Sequence, residues 1–68
     1  MLKSEFVDGV KFKTTENTVY TYRNSIVVDE DGNFVCYLEL RNNGVRLFLN
    51  VVSLPFSRTF NFDQFNKV

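Results

Sequence analysis

The chain has 68 residues, of which 44% are hydrophobic and 16% aromatic, and its eight basic residues balance eight acidic ones. A chain of this length forms one small domain, here residues 1–68, with a modest core that eight phenylalanines enrich in buried ring area. Zero net charge excludes a strong overall attraction to phosphate backbones or anionic membranes, which disfavours a general nucleic-acid binder.

The first half of the chain shows three short strand patterns, which cover 5–13, 17–23 and 25–29. The first pattern bends at Asp8-Gly9 and points Val10 and Phe12 inward by its alternation. The second is rich in Thr, Val and Tyr, which suit a half-buried pleated surface. A bend at Asn24-Ser25 separates the second pattern from the third.

The acidic segment 29–32 predicts the next turn. A type I turn with Gly32 in the left-handed conformation continues through a bulge into the following strand. This register points Ile26 and Val28 inward. A two-residue turn would instead point Val27 inward, and we prefer the first register because it buries two apolar side chains rather than one.

The strongest pattern is a hairpin within 33–52. Apolar residues alternate along both arms, as Phe34, Cys36, Leu38 and Leu40 on the first and Val45, Leu47, Leu49 and Val51 on the second. Asn43-Gly44 between the arms predicts a tight primed turn with positive φ at Gly44. That turn pairs Leu40 with Leu47 and Leu38 with Leu49, so these four leucines are expected at the centre of the core.

After the hairpin, Pro55 interrupts the pairing because it has no N–H to donate. Residues 56–62 then read as an edge strand that carries Arg58 among phenylalanines on one face. Residues 63–68 form either a short helical turn begun by Asp63 or a tail.

Short strands with frequent turn signals are typical of an all-β meander. We predict five or six antiparallel strands, curled into a small barrel that resembles SH3-like barrels in architecture, or into a strongly bent sheet. The alternative is an oligonucleotide/oligosaccharide-binding fold, which usually has a helix between its third and fourth strands. No segment of this chain supplies that helix.

The residue types that usually perform catalysis are scarce. Histidine is absent, and no glycine-rich phosphate loop or nucleophile motif is present. Three acids at 29–31 match no complete calcium loop, and one cysteine forms neither an internal disulfide nor a zinc site. We therefore expect no enzyme activity, no metal and no cofactor, with Cys36 acting as a small buried hydrophobe.

The outward face of the hairpin is the main candidate binding surface. Its members are the apolar Val35, Tyr37, Phe48 and Val52 and the basic Arg41 and Arg46. The turn places the two arginines opposite each other, which is unfavourable unless Glu39 or an external anion lies between them. Two interpretations are open: the C-terminal phenylalanines cover this face, or a protein partner or second copy does, since Tyr, Phe and Arg are typical of interface hot spots.

Two further interpretations concern aromatic residues. Base stacking on Tyr37 and Phe48 would make the face a binder of single-stranded nucleic acid or nucleotides. Tyr20 and Tyr22 share one face of their strand and either line a groove or form the edge of the core.

These features favour a non-enzymatic protein-binding module, such as the accessory or inhibitor proteins that phages and mobile elements encode. The alternatives are a small-barrel binder of single-stranded nucleic acid or nucleotides and a structural subunit of a homo-oligomer, including a homodimer. No signal peptide, transit peptide or membrane span is visible. The expected location is therefore the cytoplasm, that of the host if a phage encodes the protein, with no membrane partner.

Overall fold

The computed structural model describes residues 1–49 and 57–68. The strands in these residues are β1 (Lys11–Lys13), β2 (Val19–Arg23), β3 (Ile26–Val28), β4 (Phe34–Arg41), β5 (Gly44–Phe48), β6 (Ser57–Phe60) and β7 (Asn66–Lys67). They form one antiparallel sheet in the order β6-β5-β4-β3-β2-β1-β7, curled into a half-barrel. The predicted all-β class and strongly bent sheet are confirmed, but the described residues hold seven strands rather than five or six, because the short β7 returns to pair with β1.

The chain returns from one edge of the sheet to the other after β6. A 3-10 turn at Phe62–Gln64 begins this return, and β7 then pairs with β1. Phe65, 1% exposed, lies between the two edges, with its ring centroid 6.0 Å from that of Phe60 and 5.5 Å from that of Phe12. One buried ring therefore contacts both ends of the sheet, which keeps the sheet curled.

The inner face of the curl holds the core. Its buried apolar members are Phe6, Phe12, Val27, Cys36, Leu38, Val45 and Phe65. The N-terminal segment, with a 3-10 turn at Lys3–Glu5, closes one end of this core through Phe6. The Met1 ammonium donates hydrogen bonds to the carbonyl oxygens of Phe62 (3.0 Å) and Phe65 (2.6 Å), which ties the two chain ends together.

The turn between β3 and β4 is as predicted, but the faces of β3 are not. The Asp29 N–H donates to the Asn33 carbonyl at 2.9 Å, and Gly32 has a φ of +83°. The register then shifts between Val27 and Val28, because Val35 of β4 is an extra residue that forms a bulge opposite them. Val27 consequently points into the core at 3% exposure, and the predicted inward positions of Ile26 and Val28 are wrong.

The hairpin of β4 and β5 is confirmed, with a register two residues from the predicted one. Arg41 pairs with Gly44, so Asn42 and Asn43 form the turn, and Leu38 pairs with Leu47. A slip of two residues keeps every side chain on its face, because side chains alternate with a period of two. Leu49, however, lies beyond β5 and is 51% exposed, so its predicted central place in the core is wrong.

Gly44 is required for a reason that the turn pattern does not reveal. Its φ lies outside the left-handed region, so the predicted positive φ is wrong. A Cβ built on Gly44 would lie 2.6 Å from the Phe60 carbonyl oxygen, because β6 passes directly beside this residue. The left-handed non-glycine residues are instead Asn24 (φ 43°) and Ser25 (φ 68°), which form the turn between β2 and β3.

The C-terminal expectations are largely confirmed. β6 lies at the edge of the sheet, as predicted, with Arg58 and Phe60 facing the core side. A helical turn does form, but it begins after Asn61, whose N–H donates to the Gln64 side-chain oxygen at 2.8 Å. Pro55 lies outside the described residues.

Substitution of Gly44 tests the close approach of β6. We expect Gly44→Ala to lower the free energy of unfolding by about 1–3 kcal/mol, because the added methyl meets backbone that cannot move aside freely. Gly32→Asn is the control, since asparagine tolerates left-handed φ and nothing lies within 4 Å of a Cβ there. Chemical denaturation measures both changes, and a loss for Gly32→Asn equal to that for Gly44→Ala would contradict the proposed contact.

Two matched leucine truncations test the hairpin register. Leu38 is 2% exposed, so Leu38→Ala should cost about 2–5 kcal/mol of unfolding free energy. Leu49→Ala should cost under about 1 kcal/mol, because half of that side chain already contacts solvent. Thermal melts followed by circular dichroism distinguish the registers, and equal losses would restore the pairing of Leu38 with Leu49.

Candidate functional site

Three aromatic rings lie together on the outer face of the half-barrel. Tyr37 and Phe48 are cross-strand partners, and their rings stack with centroids 5.4 Å apart and an interplanar angle of 24°. Phe34 meets Tyr37 edge-on at 5.0 Å and is 47% exposed. We call Phe34, Tyr37 and Phe48 the outer aromatic cluster. The guanidinium of Arg46 lies 4.3 Å from the Phe48 ring centroid, so a cation is packed against this cluster.

Glu39 lies between the two arginines of the hairpin. The register places Glu39, rather than Arg41, opposite Arg46, which corrects the predicted pairing of like charges. The Glu39 carboxylate accepts a 2.8 Å hydrogen bond from Arg41 Nε and lies 3.9 Å from Arg46 Nη1. Exposed ion pairs contribute little stability, so the main effect of Glu39 is to position the two guanidinium groups.

Charge is unevenly distributed over the sheet. In the described strands, the outward residues include the cations Lys11, Lys13, Arg23, Arg41 and Arg46 and the single carboxylate Glu39. The outward strand residues alone therefore carry a net charge of +4, although the whole chain is neutral and the Glu30 and Asp8 carboxylates bond main-chain N–H groups at the two ends of β2. The outer face therefore attracts anionic groups despite the zero net charge.

The C-terminal phenylalanines do not cover the outer aromatic cluster. Phe60 and Phe65 pack against each other in the core, and the Phe62 ring lies 6.2 Å from that of Phe6. The interpretation that these residues cover Tyr37 is therefore wrong. The hydrogen bonds from the N-terminal ammonium and the pairing of β7 with β1 hold this segment on the inner side.

The other predicted site residues lie elsewhere. The bulge turns Val35 toward an inner groove, and Tyr20 lines the same groove while packing 6.0 Å from Phe12. Tyr22 packs edge-on against Phe6 at 5.9 Å, as part of the core. Val52 lies outside the described residues. Of the predicted site residues, the structure therefore brings together Tyr37, Phe48, Arg41 and Arg46. The other three in the described residues, Val35, Tyr20 and Tyr22, lie on the inner side.

Sequence reasoning missed several residues of the outer face. Phe34 was assigned to the core because the second bulge, at Val35 within β4, was not predicted. The alternation of the first strand predicts Lys11 and Lys13 outward, which is confirmed, but neither they nor Arg23 were assigned to the binding surface. Their clustering with Arg41 follows only from the order of strands in the sheet.

The inner groove has a volume of about 640 Å³. Its walls are mainly apolar, with Leu47, Leu49 and Phe60 on one side and Tyr20 on the other. Arg58 lies at its edge, 5.5 Å from the Phe60 ring centroid. The size suits a small apolar molecule, but the convergent polar groups that fix a ligand's orientation are few.

The titratable side chains of residues 1–49 and 57–68 show no metal-binding group. No group of three His, Cys, Asp or Glu side chains in these residues is placed to hold a metal ion. Cys36 is buried, as predicted, and burial raises the pKa of its thiol. A thiol held protonated is a poor nucleophile.

Comparisons with known proteins identify no relative: no family model, no curated protein and no solved structure matches the chain. Within the described residues, no helix has the length and apolar character needed to cross a membrane. The site must therefore be interpreted from its own geometry.

Burial of Cys36 predicts a pH dependence of stability. Burial raises the pKa of the Cys36 thiol in the folded protein above the unfolded value of about 8.5. The contribution of the protonated thiol to the free energy of unfolding is therefore complete below about pH 8.5 and decreases as pH rises from there toward the folded pKa. The difference in unfolding free energy between wild type and Cys36→Ala should therefore shrink above about pH 8.5. Urea denaturation at a series of pH values measures this difference, and a constant value from neutral to alkaline pH would contradict the assignment.

Proposed function

We propose that this protein is a non-enzymatic binding module whose outer face docks onto an acidic surface of a protein partner. One observation carries the proposal. The outer aromatic cluster, with Phe34 exposed and the other two rings half-buried, is joined to the arginines of a basic sheet face, and no other described segment covers it. Aromatic and arginine side chains are enriched among the residues that contribute most to binding energy at protein interfaces.

The cluster is organised before any partner arrives. Tyr37 and Phe48 support each other by stacking, and Arg46, whose side chain is 15% exposed, lies over Phe48. Arg41 is held by Glu39. Side chains that are already ordered lose less entropy when a partner binds, so this arrangement favours tight docking for its area.

The charge of the outer face indicates the chemistry of the partner. Carboxylates on a partner would meet Lys11, Lys13, Arg23 and Arg41, and exposed arginines bind carboxylates by paired hydrogen bonds. Complementary charge also raises the association rate and makes it depend on salt. A small accessory or inhibitor protein acting in the cytoplasm, of the kind that phages encode, fits such a single-face binder.

Single-stranded nucleic acid is the alternative partner, favoured by the combination of cations and rings on one face. The packing of Phe48 weakens this alternative, because its ring already contacts the Tyr37 ring and the Arg46 guanidinium. A base would have to displace one of them. Phe34 is more exposed, at 47%, but one ring offers a small stacking platform. A structural homo-oligomer subunit is the third proposal, and it would use the same uncovered face.

Paired variants test the proposed face. Lys11→Glu and Tyr37→Ala should weaken capture of the partner from a lysate of the source cells. For Tyr37→Ala we expect a loss of about 2 kcal/mol or more in binding free energy. The controls are Lys67→Glu, which makes the same charge change at an exposed residue that pairs with the inward Phe12, and Val7→Ala, which truncates an exposed apolar residue elsewhere. Circular dichroism melts show whether each variant remains folded.

The outcomes separate the alternatives. A captured partner that resists nuclease and is lost with Lys11→Glu supports the protein-binding proposal. Micromolar binding of a single-stranded oligonucleotide in fluorescence anisotropy, weakening steeply with salt, would instead support nucleic acid. Self-association lost with Tyr37→Ala would support the homo-oligomer. Equal capture by all four variants would exclude this face as the binding surface.

A further inference from the structure

The strand β4 extends beyond its neighbour β3. The last cross-strand pair between them is Ile26 with Tyr37, and the Leu38 N–H then donates to the Ser25 carbonyl at 2.9 Å. Beyond that bond, residues 39–41 pair with β5 alone. We call residues 39–41 the β4 overhang.

The overhang exposes main-chain groups on the side that β3 does not reach. In an antiparallel strand, alternate residues direct their N–H and C=O groups to the same side. Since Leu38 bonds toward Ser25, the N–H and C=O of Leu40 point in that direction as well. The ladder with β5 uses the main-chain groups of Glu39 and Arg41 instead, and outside the ladders no main-chain bond joins either Leu40 group to another part of residues 1–49 and 57–68. Leu40 therefore forms a one-residue open edge of the sheet.

A cleft of about 400 Å³ lies beside this open edge. Its walls are Tyr22, Ser25, Tyr37, Leu38, Glu39, Leu40 and Phe48. Most of these side chains are apolar or aromatic, and two of them belong to the outer aromatic cluster. An apolar side chain of a partner could enter the cleft while its main chain runs along the overhang.

Cations flank the cleft at both ends. Arg23 ends β2 beside the Asn24-Ser25 turn, and Arg41 ends β4. The Lys3 ammonium lies next to the β4–β5 turn, donating to the Asn42 side-chain oxygen at 3.2 Å. Two carboxylates lie among these three cations, and both are engaged: Glu39 on the cleft wall by Arg41 at 2.8 Å, and Asp8 by the Asn24 N–H at 3.1 Å. The surroundings therefore favour an acidic segment over a basic one.

We propose that the β4 overhang binds an extended acidic peptide segment of the protein partner, which adds as a short strand beside Leu40. The segment exchanges two main-chain hydrogen bonds with Leu40 and places one apolar side chain in the cleft. Its carboxylates meet Arg23 and Arg41. This inference rests on the proposed function and specifies how the partner is recognised.

Amide hydrogen exchange followed by NMR tests the open edge in the protein alone. The Leu40 amide should exchange close to the rate of an unstructured chain, whereas the amides of the two preceding residues, Leu38 and Glu39, should be protected by their hydrogen bonds to neighbouring strands. Protection of Leu40 equal to that of Glu39 would overturn the inference. Protection of Leu40 that grows with protein concentration would overturn it in favour of pairing with a second copy.

A defined peptide tests the occupant. The probe is a blocked six-residue peptide of alternating Glu and Val with one central Tyr, and the control replaces each Glu by Lys. The acidic peptide at millimolar concentration should slow Leu40 exchange at least fivefold and shift the Ser25 and Tyr22 amides. No effect of the acidic peptide, or an equal effect of the basic one, would overturn the inference.

A synthetic chain isolates the main-chain contribution. Ligation at Cys36 allows replacement of the Leu40 amide by an ester, which removes the N–H and keeps the side chain. The melting temperature should fall only slightly, because the ester weakens the Glu39 carbonyl as an acceptor toward β5 but removes no N–H that bonds to β5. Affinity for the acidic peptide should fall about tenfold. Unchanged peptide affinity overturns the inference. If partner capture still responds to Lys11→Glu in that case, the proposed function stands without it.

Discussion

The burial of Phe65 inside the curl is the contact on which the remaining architecture depends. Its ring touches Phe60 at one edge of the sheet and Phe12 near the other, so the sheet cannot flatten without exposing it. The Met1 ammonium bonds to the main chain of the same residue, and β7 follows it directly. In a chain this short, one ring shared by both sheet edges and both termini supplies much of the closure that a larger core would provide.

The use of phenylalanines inside determines what remains outside. Because Phe60, Phe62 and Phe65 are drawn into the core, none of these three rings lies over Tyr37 and Phe48. The same curl spreads the outward lysines and arginines over a convex surface, while the carboxylates lie mostly at turns and ends. A neutral chain thereby acquires a basic, aromatic face. The proposed docking of an acidic partner follows from this separation rather than from composition.

The hairpin shows how far local patterns carry a prediction. Alternation along β4 and β5 identified the faces of Leu38, Tyr37 and Phe48 correctly, because side-chain direction depends only on parity. The turn sequence around Gly32 was also sufficient, since glycine relieves the strain of positive φ there. The outer site was consequently recoverable in part: its two stacked rings and two arginines were identified, although the pairing of the arginines was not.

The sequence by itself determined the all-β class, the hairpin, the buried cysteine and the edge position of β6, because these depend on alternation and turn chemistry within a few residues. Tertiary structure decided the rest. Two registers of the β4–β5 hairpin that differ by two residues bury the same side chains, so alternation does not distinguish them. The observed register is the one that places Gly44 where the Phe60 main chain passes close by. The bulge at Val35 exchanged the predicted inward and outward faces of β3, so that Val27 rather than Ile26 and Val28 points into the core. Charge segregation and the open edge at Leu40 arise only when distant strands become neighbours.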